Sequence, residues 1–210
     1  MLHNFSQVDD FIWVCDGILS IEDCLLLRAE AMSMLKDVTV LDYEKGPIKD
    51  TKSRYAQESL LLKSNYNSQQ KIYNSIEKIE TIVSNITCLP VENQEYLNIV
   101  RYSEGGHYVP HYDFFLKGGE GYDLDIAKGG QRVSSVLFYL NDSYEGGVTQ
   151  FPKLDNFEIA PRKGRAVYWN NFRDNKPIEK SLHCSLPVEK GFKWIGIVWV
   201  REGEYSPRKG

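Results

Sequence analysis

Past Pro90 the chain changes character. Residues 95–102, 133–140, 148–151, 165–169, 181–186 and 192–200 are short segments rich in β-branched and aromatic residues, separated by Gly-Gly, Asn-Asp, Pro and Lys-Gly. Segments so short, divided by turn-forming residues, favour an all-β sandwich or barrel over repeated βαβ units. With 210 residues, 42% of them hydrophobic, the chain is long enough to bury one core. The expected fold is mainly β, in one domain spanning 1–210, with helices only in front.

Those helices are legible before Pro90. Residues 11–15 read as a short strand, and Ser20-Ile-Glu-Asp as a capping box that opens a helix to about residue 36, with Ile21, Leu25, Met32 and Leu35 among its apolar positions. A second helix is expected over 69–85, where Ile72, Ile76, Ile79, Val83 and Ile86 make a core-packing stripe. The stretches 42–47 and 50–54 read as an exposed connection between the two. Residues 1–90 are therefore expected to form a helical support region, and 91–202 the β core. The glycine-rich stretch 117–130 is too long for a simple turn and reads equally as a lid or as a disordered segment.

Charge narrows the partners. Lys and Arg number 25 against 29 Asp and Glu, for a net charge of -4, and no basic run suggests a phosphate-tracking surface, so no nucleic-acid partner is expected. Residues 1–10 lack the basic start and apolar stretch of a secretory signal, and no apolar segment is long enough to cross a bilayer. No membrane partner and a cytoplasmic location are the expectation. Cys15, Cys24, Cys88 and Cys184 are scattered without a Cys-x-x-Cys pair and read as reduced, mostly buried thiols. Nothing in the pattern specifies an oligomeric state.

The chain has four histidines, His3, His107, His111 and His183. Alternate side chains of a strand share a face, so His111 and Asp113 would point together. With His183 they have the composition of a two-histidine, one-carboxylate site, which leaves positions open on a non-haem Fe(II) ion for a co-substrate and O2. The His-x-Asp pair alone is a weak signal. Lys193 adds to it by interrupting the apolar run 192–200, where alternation places Lys193, Ile195, Ile197 and Trp199 on one face. A lysine there either snorkels to water at the strand end or meets a bound carboxylate. If Pro187-Val-Glu-Lys-Gly makes a turn, the His183 and Lys193 strands are consecutive and antiparallel. That would place the cation a few ångströms beyond the metal, where it suits the far carboxylate of a chelating dicarboxylate such as 2-oxoglutarate. Tyr102 and Thr149 can add hydroxyl donors to the same carboxylate.

The order Tyr102-Ser-Glu-Gly-Gly-His-Tyr-Val-Pro-His111-Tyr-Asp113, Gly130-Gln-Arg-Val, Glu145-Gly-Gly-Val-Thr149-Gln-Phe-Pro, Pro161-Arg-Lys-Gly-Arg-Ala-Val, then His183 and Lys193, resembles the catalytic domain of prolyl 4-hydroxylases over roughly 95–202. The resemblance implies a double-stranded β-helix core of the jelly-roll type. It also implies an Fe(II)/2-oxoglutarate-dependent dioxygenase of the procollagen-proline 4-dioxygenase kind, an oxidoreductase that couples decarboxylation of 2-oxoglutarate, to succinate and CO2, to hydroxylation of proline in a peptide or protein. O2 is the second co-substrate and ascorbate the reductant. By position, His111, Asp113 and His183 would be the catalytic iron ligands, Lys193 the anchor of the distal carboxylate, and Tyr102 and Thr149 its supports. Tyr108 and Trp199 fall where the family lines its pocket, and Arg132 matches an arginine near the substrate groove or else a surface ion pair.

One segment departs from the pattern. Where the family carries an Arg-Thr-Ser type stretch followed by glycine, this chain reads Lys52-Ser-Arg-Tyr-Ala-Gln-Glu-Ser. That departure keeps open an oxygenase acting on another residue or a small molecule. A non-catalytic metal-binding jelly-roll sensor is the remaining alternative, against which the complete triad with Lys193 argues.

Overall fold

The structure, a computed structural model, describes residues 5–38, 40–42, 46–48, 50–119 and 121–207, with backbone alone for 40–42 and 46–48. Two antiparallel sheets carry the fold. The larger has eight strands, ordered from edge to edge Ser6–Asp9, Ile12–Cys15, Ala166–Asn170, Arg132–Tyr139, Lys193–Arg201, Leu97–Tyr102, Gln57–Leu61 and Lys36–Asp37. The smaller has five, ordered Phe157–Ile159, Thr149–Phe151, His183–Ser185, His107–His111 and Arg54–Tyr55. From residue 97 onward the chain passes back and forth between the sheets, which is the winding of a double-stranded β-helix. The mainly β, jelly-roll core expected from the sequence is what forms.

Strand alternation sorts the core into two layers. Ile99, Val136, Phe138, Trp194, Val198 and Val200 face outward from the larger sheet onto the helices. Val100, Tyr102, Leu137, Tyr139, Ile195 and Ile197 face inward toward Phe151 and Ile159 of the smaller sheet. The long helix, Lys71–Thr87, buries Ile72, Ile76, Ile79 and Val83 as its periodicity predicted, with Ile86 half-buried beside them. It ends at Cys88 in the left-handed conformation. Ile79 is wholly buried, so Ile79→Ala is expected to cost about 2–5 kcal/mol through lost contact and a residual cavity. Urea unfolding reads this directly as a lower midpoint.

The first helix is shorter than expected and turns its other face inward. It spans Ile21–Met32 and opens on the predicted box, in which the Asp23 amide donates to the Ser20 hydroxyl at 3.0 Å and the Ser20 amide to the Asp23 carboxylate at 3.0 Å. Cys24, Leu27 and Ala31 are its buried residues, while Ile21, Leu25 and Met32 are more than half exposed. Both sets recur at helical spacing, so periodicity alone did not choose between them. Packing selected the set with small residues at both ends, which lets the helix lie close to the sheet.

Residues 1–90 also supply strands to both sheets: Ser6–Asp9, Ile12–Cys15, Lys36–Asp37 and Gln57–Leu61 to the larger, Arg54–Tyr55 to the smaller. A division into a helical region up to 90 and a β core from 91 is therefore too sharp. In the expected exposed connection, Val40–Asp42 pairs with Gly46–Ile48, and a turn begins at Asp50, whose carboxylate accepts from the Lys52 amide at 3.0 Å and from the Ser53 hydroxyl. Residues 43–45 and 49 of that connection, with His3, lie outside the described residues. In the 117–130 stretch, where Glu120 lies outside them too, a short helix Tyr122–Ala127 forms, and Arg201 donates to the carbonyls of Asp125 and Gly130 at 3.0 and 2.8 Å. No described helix is long and apolar enough to cross a membrane.

Candidate active site

Two neighbouring strands of the smaller sheet build the triad. His183 pairs directly with His111 across them, and Asp113 follows two residues beyond the end of the His107–His111 strand, in a bend instead of the strand position expected. Among the described residues these three bring one ligand atom each to within 4.8 Å of one another. The remaining described histidine, His107, is elsewhere, its ring nitrogens against the Gly105 and Lys52 carbonyls at 2.9 and 3.1 Å.

The local contacts fit a divalent metal. His111 Nδ1 meets the Val109 carbonyl at 2.8 Å and His183 Nδ1 the Ser181 carbonyl at 2.9 Å. A carbonyl only accepts, so Nδ1 carries the proton and Nε2 presents its lone pair inward. The two Nε2 atoms face the Asp113 carboxylate at 3.8 and 3.6 Å, too far for hydrogen bonds. Burial first, and then His183, holds His111 down to a pKa of about 3 against the pull of Asp113, so its imidazole is neutral and ready to ligate. Burial raises the Asp113 pKa, but His183, His111 and the Ser135 hydroxyl outweigh it, and the carboxyl lies below its ordinary value.

Ser135 and Asn171 were invisible as site residues in the sequence. The Ser135 hydroxyl donates to Asp113 Oδ2 at 2.6 Å, and the Asn171 amide donates to Ser135 at 3.0 Å. Together they aim the carboxylate. Groups that orient a metal ligand typically contribute ~10–100-fold to metal affinity. Ser135→Ala is expected to weaken Fe(II) or Mn(II) binding by about that factor, as read by metal titration under anaerobic conditions.

Lys193 closes the other end of the pocket from the facing sheet. Its strand pairs with those of Tyr102 and Arg132, and not with that of His183, which lies in the smaller sheet. The hairpin expected between them does not form, because Val188–Lys190 diverts the chain to pair with Glu145–Gly146. Lys193 is completely buried, donates to the Ser185 hydroxyl at 2.8 Å, and lies 5.2 Å from the Tyr102 ring centre. Gly147, at φ +61°, packs on it; a Cβ there would come within 3.3 Å of Lys193 Cδ. Burial lowers the lysine pKa to about 7.

Tyr102, Tyr108, Thr149 and Trp199 line the same pocket, as do Arg54 and Ser185, which the sequence did not single out. Thr149 Oγ1 accepts from the Tyr139 hydroxyl at 2.7 Å, and Tyr108 stacks on His111 with ring centres 3.5 Å apart. Arg132 is not among the lining residues. It lies over Trp199 at 3.9 Å and grips Glu95 with two donors at 2.6 and 2.8 Å, an ion pair that is mostly buried.

The model of the 2OG-Fe(II) oxygenase superfamily matches residues 97–201, which include the triad and Lys193. The probable prolyl 4-hydroxylase 3 of Arabidopsis thaliana is 31% identical over 92% of this chain and 70% of its own length. The chain belongs to the prolyl 4-hydroxylase family. Prolyl 4-hydroxylase subunit alpha-1 of Gallus gallus is also 31% identical, over 88% of this chain and 34% of that subunit. In fold, this prolyl 4-hydroxylase family member resembles the viral collagen prolyl hydroxylase of Paramecium bursaria Chlorella virus 1 in its 2-oxoglutarate complex, with a TM-score of 0.67 at 23% identity over 91% of this chain and 96% of that one. It is an Fe(II)/2-oxoglutarate-dependent dioxygenase of the prolyl 4-hydroxylase type.

Proposed function

We propose that this chain, as one catalytic domain over 1–210, hydroxylates a proline in a peptide or protein at C4. The observation that carries the reading is the convergence of His111, Asp113 and His183 in a pocket that also holds the buried cation Lys193. His111 and His183 would hold Fe(II) through Nε2 and Asp113 through its carboxylate. Lys193 would take the distal carboxylate of 2-oxoglutarate, with Tyr102 and Thr149 as supporting hydroxyls. Once bound, the metal and 2-oxoglutarate supply the oxidative chemistry, in which release of succinate and CO2 is coupled to insertion of one oxygen atom of O2 into a C–H bond.

The chain's own residues do the rest. Trp169 and Phe151 pack against the His183 ring, with centres 4.8 and 5.8 Å away, and keep water off that side of the site. Tyr108 and Trp199 are assigned to the substrate side of the pocket. Arg132 contributes there through Trp199, whose ring it supports. Ascorbate serves as reductant for uncoupled cycles. A cytoplasmic location belongs to the same proposal.

Burial of Lys193 sets the pH dependence. In the free protein it loses its proton above about pH 7, whereas a bound carboxylate favours the ammonium form. Binding of 2-oxoglutarate is therefore proton-neutral below pH 7 and takes up a proton above it, so apparent affinity falls toward about tenfold per pH unit. Calorimetry at pH 8 in two buffers of different ionisation enthalpy counts that proton; identical heats in both would mean that Lys193 is already an ammonium in the free protein at that pH.

The reading is tested by incubating the protein with Fe(II), 2-oxoglutarate, ascorbate and a proline-containing peptide library. Succinate release and a one-oxygen mass gain on proline are expected. The altered segment 52–59 favours a second reading, hydroxylation of another residue or of a small molecule, which would give succinate without oxygen on proline.

A further inference from the structure

Ser185 stands two residues beyond His183 on the same short strand of the smaller sheet, and both residues line the pocket. Two residues of extended chain cover about 6.6 Å. One strand therefore carries a metal ligand and, at a separation comparable with the length of a five-carbon dicarboxylate, a hydroxyl. Ser185 is 8% exposed, and its Oγ lies 2.8 Å from Lys193 Nζ. Across the sheet it pairs directly with Thr149, which also lines the pocket. Directly opposed residues of antiparallel strands share a face, with their Cβ atoms about 5 Å apart. Two hydroxyls and the lysine thus converge on one end of the pocket. Lys193 is wholly buried there, and Ser185 is its one hydrogen-bond partner among the described residues.

The Ser185 proton has no good acceptor within the protein. Among the described residues it meets only the adjoining Leu186 carbonyl, at 3.4 Å, longer than the roughly 2.5–3.0 Å of an O–H···O bond. Beside a bound carboxylate the lysine is an ammonium, with three donors and no lone pair. In that state it occupies a lone pair of the serine oxygen and leaves the serine proton to an acceptor that enters the pocket. A carboxylate brings two oxygens, so one can accept from Lys193 while the other accepts from Ser185 beside it.

We propose that Ser185 is a further binding residue for 2-oxoglutarate: on the reading that places the distal carboxylate at Lys193, the Ser185 hydroxyl donates to that same carboxylate while its oxygen keeps hold of the ammonium. Tyr102 and Thr149 are then joined by a third hydroxyl, one set within hydrogen-bonding distance of the cation. The ammonium polarises the O–H that it leaves free, which strengthens the bond to the carboxylate.

Calorimetry of 2-oxoglutarate binding to the Mn(II)-loaded protein tests this, at about pH 6, below the lysine pKa of about 7, so that the ammonium is present before and after binding. Ser185→Ala and Ser185→Cys are both expected to raise the Kd at least about 10-fold, since each removes a hydrogen bond to a charged group. The cysteine fills the vacated volume while its thiol is only a weak donor, which separates the lost bond from a cavity. Mn(II) affinity, titrated without 2-oxoglutarate, should stay as it is in both variants. An unchanged Kd, a loss in Ser185→Ala that Ser185→Cys does not share, or a loss that comes only with weakened Mn(II) binding would overturn the proposal. Lys193→Met is the reference in the same assay. A raised Kd there with none in the Ser185 variants rejects Ser185 alone, whereas an unchanged Kd in Lys193→Met rejects the carboxylate assignment beneath it.

Discussion

Asp113→Ala is expected to abolish Fe(II)-dependent release of succinate from 2-oxoglutarate, down to the level of a metal-free control. The carboxylate is the one anionic member of the triad. It is 5% exposed and faces both imidazole Nε2 atoms, with Ser135 and Asn171 aligned behind it. Two neutral imidazoles left alone offer a divalent ion no compensating charge, so the loss of metal affinity should exceed the ~10–100-fold seen when only an orienting group is removed. Folding should survive, because the change removes a desolvated charge. Circular dichroism and a metal titration on the same sample separate the two effects. Turnover like that of the unmodified chain would defeat the assignment of the site.

Lys193→Ala acts at the other end of the pocket and should separate co-substrate binding from metal binding. Losing a charged hydrogen bond costs about 1.5–3 kcal/mol, which is a rise of about 10- to 150-fold in the KM for 2-oxoglutarate. Metal affinity should stay as it is. Stability gives an independent signature. Below about pH 7 the free protein holds the ammonium buried against one hydroxyl, Ser185, at 2.8 Å, and a buried charge without a counter-ion is unfavourable. Lys193→Met, which keeps most of the volume, should therefore unfold at the same temperature or higher when no 2-oxoglutarate is present. An unchanged KM would remove Lys193 as the anchor, and a large loss of stability in Lys193→Met would mean that the lysine is a structural element.

Much of the site was readable because its signals are local. The donor types of His111, Asp113 and His183 are chemistry carried by the residues themselves, and the shared face of Lys193, Ile195, Ile197 and Trp199 follows from the two-residue period of a strand. The long helix was equally plain, since only one of its faces is apolar. The first helix has two apolar stripes, and its periodicity therefore predicted Ile21, Leu25 and Met32 where packing buried Cys24, Leu27 and Ala31. Arg132 matched a family position, yet nothing local revealed that Glu95, 37 residues away in the chain, would hold it behind Trp199.

The sequence by itself determined which chemistry the chain carries: a metal-binding donor set, a cation on an otherwise apolar strand face, and a β-rich core with helices in front. The tertiary structure alone decided how these meet. Lys193 reaches the pocket from the sheet opposite His183 and not from a hairpin beside it, and Arg54, Ser135, Asn171 and Ser185 join the site from four strands or loops with no motif to mark them. The reason is physical. A side chain's direction along its own strand is set by the adjoining backbone. The strand it will face is set by long-range pairing, which depends on the burial of the whole core at once.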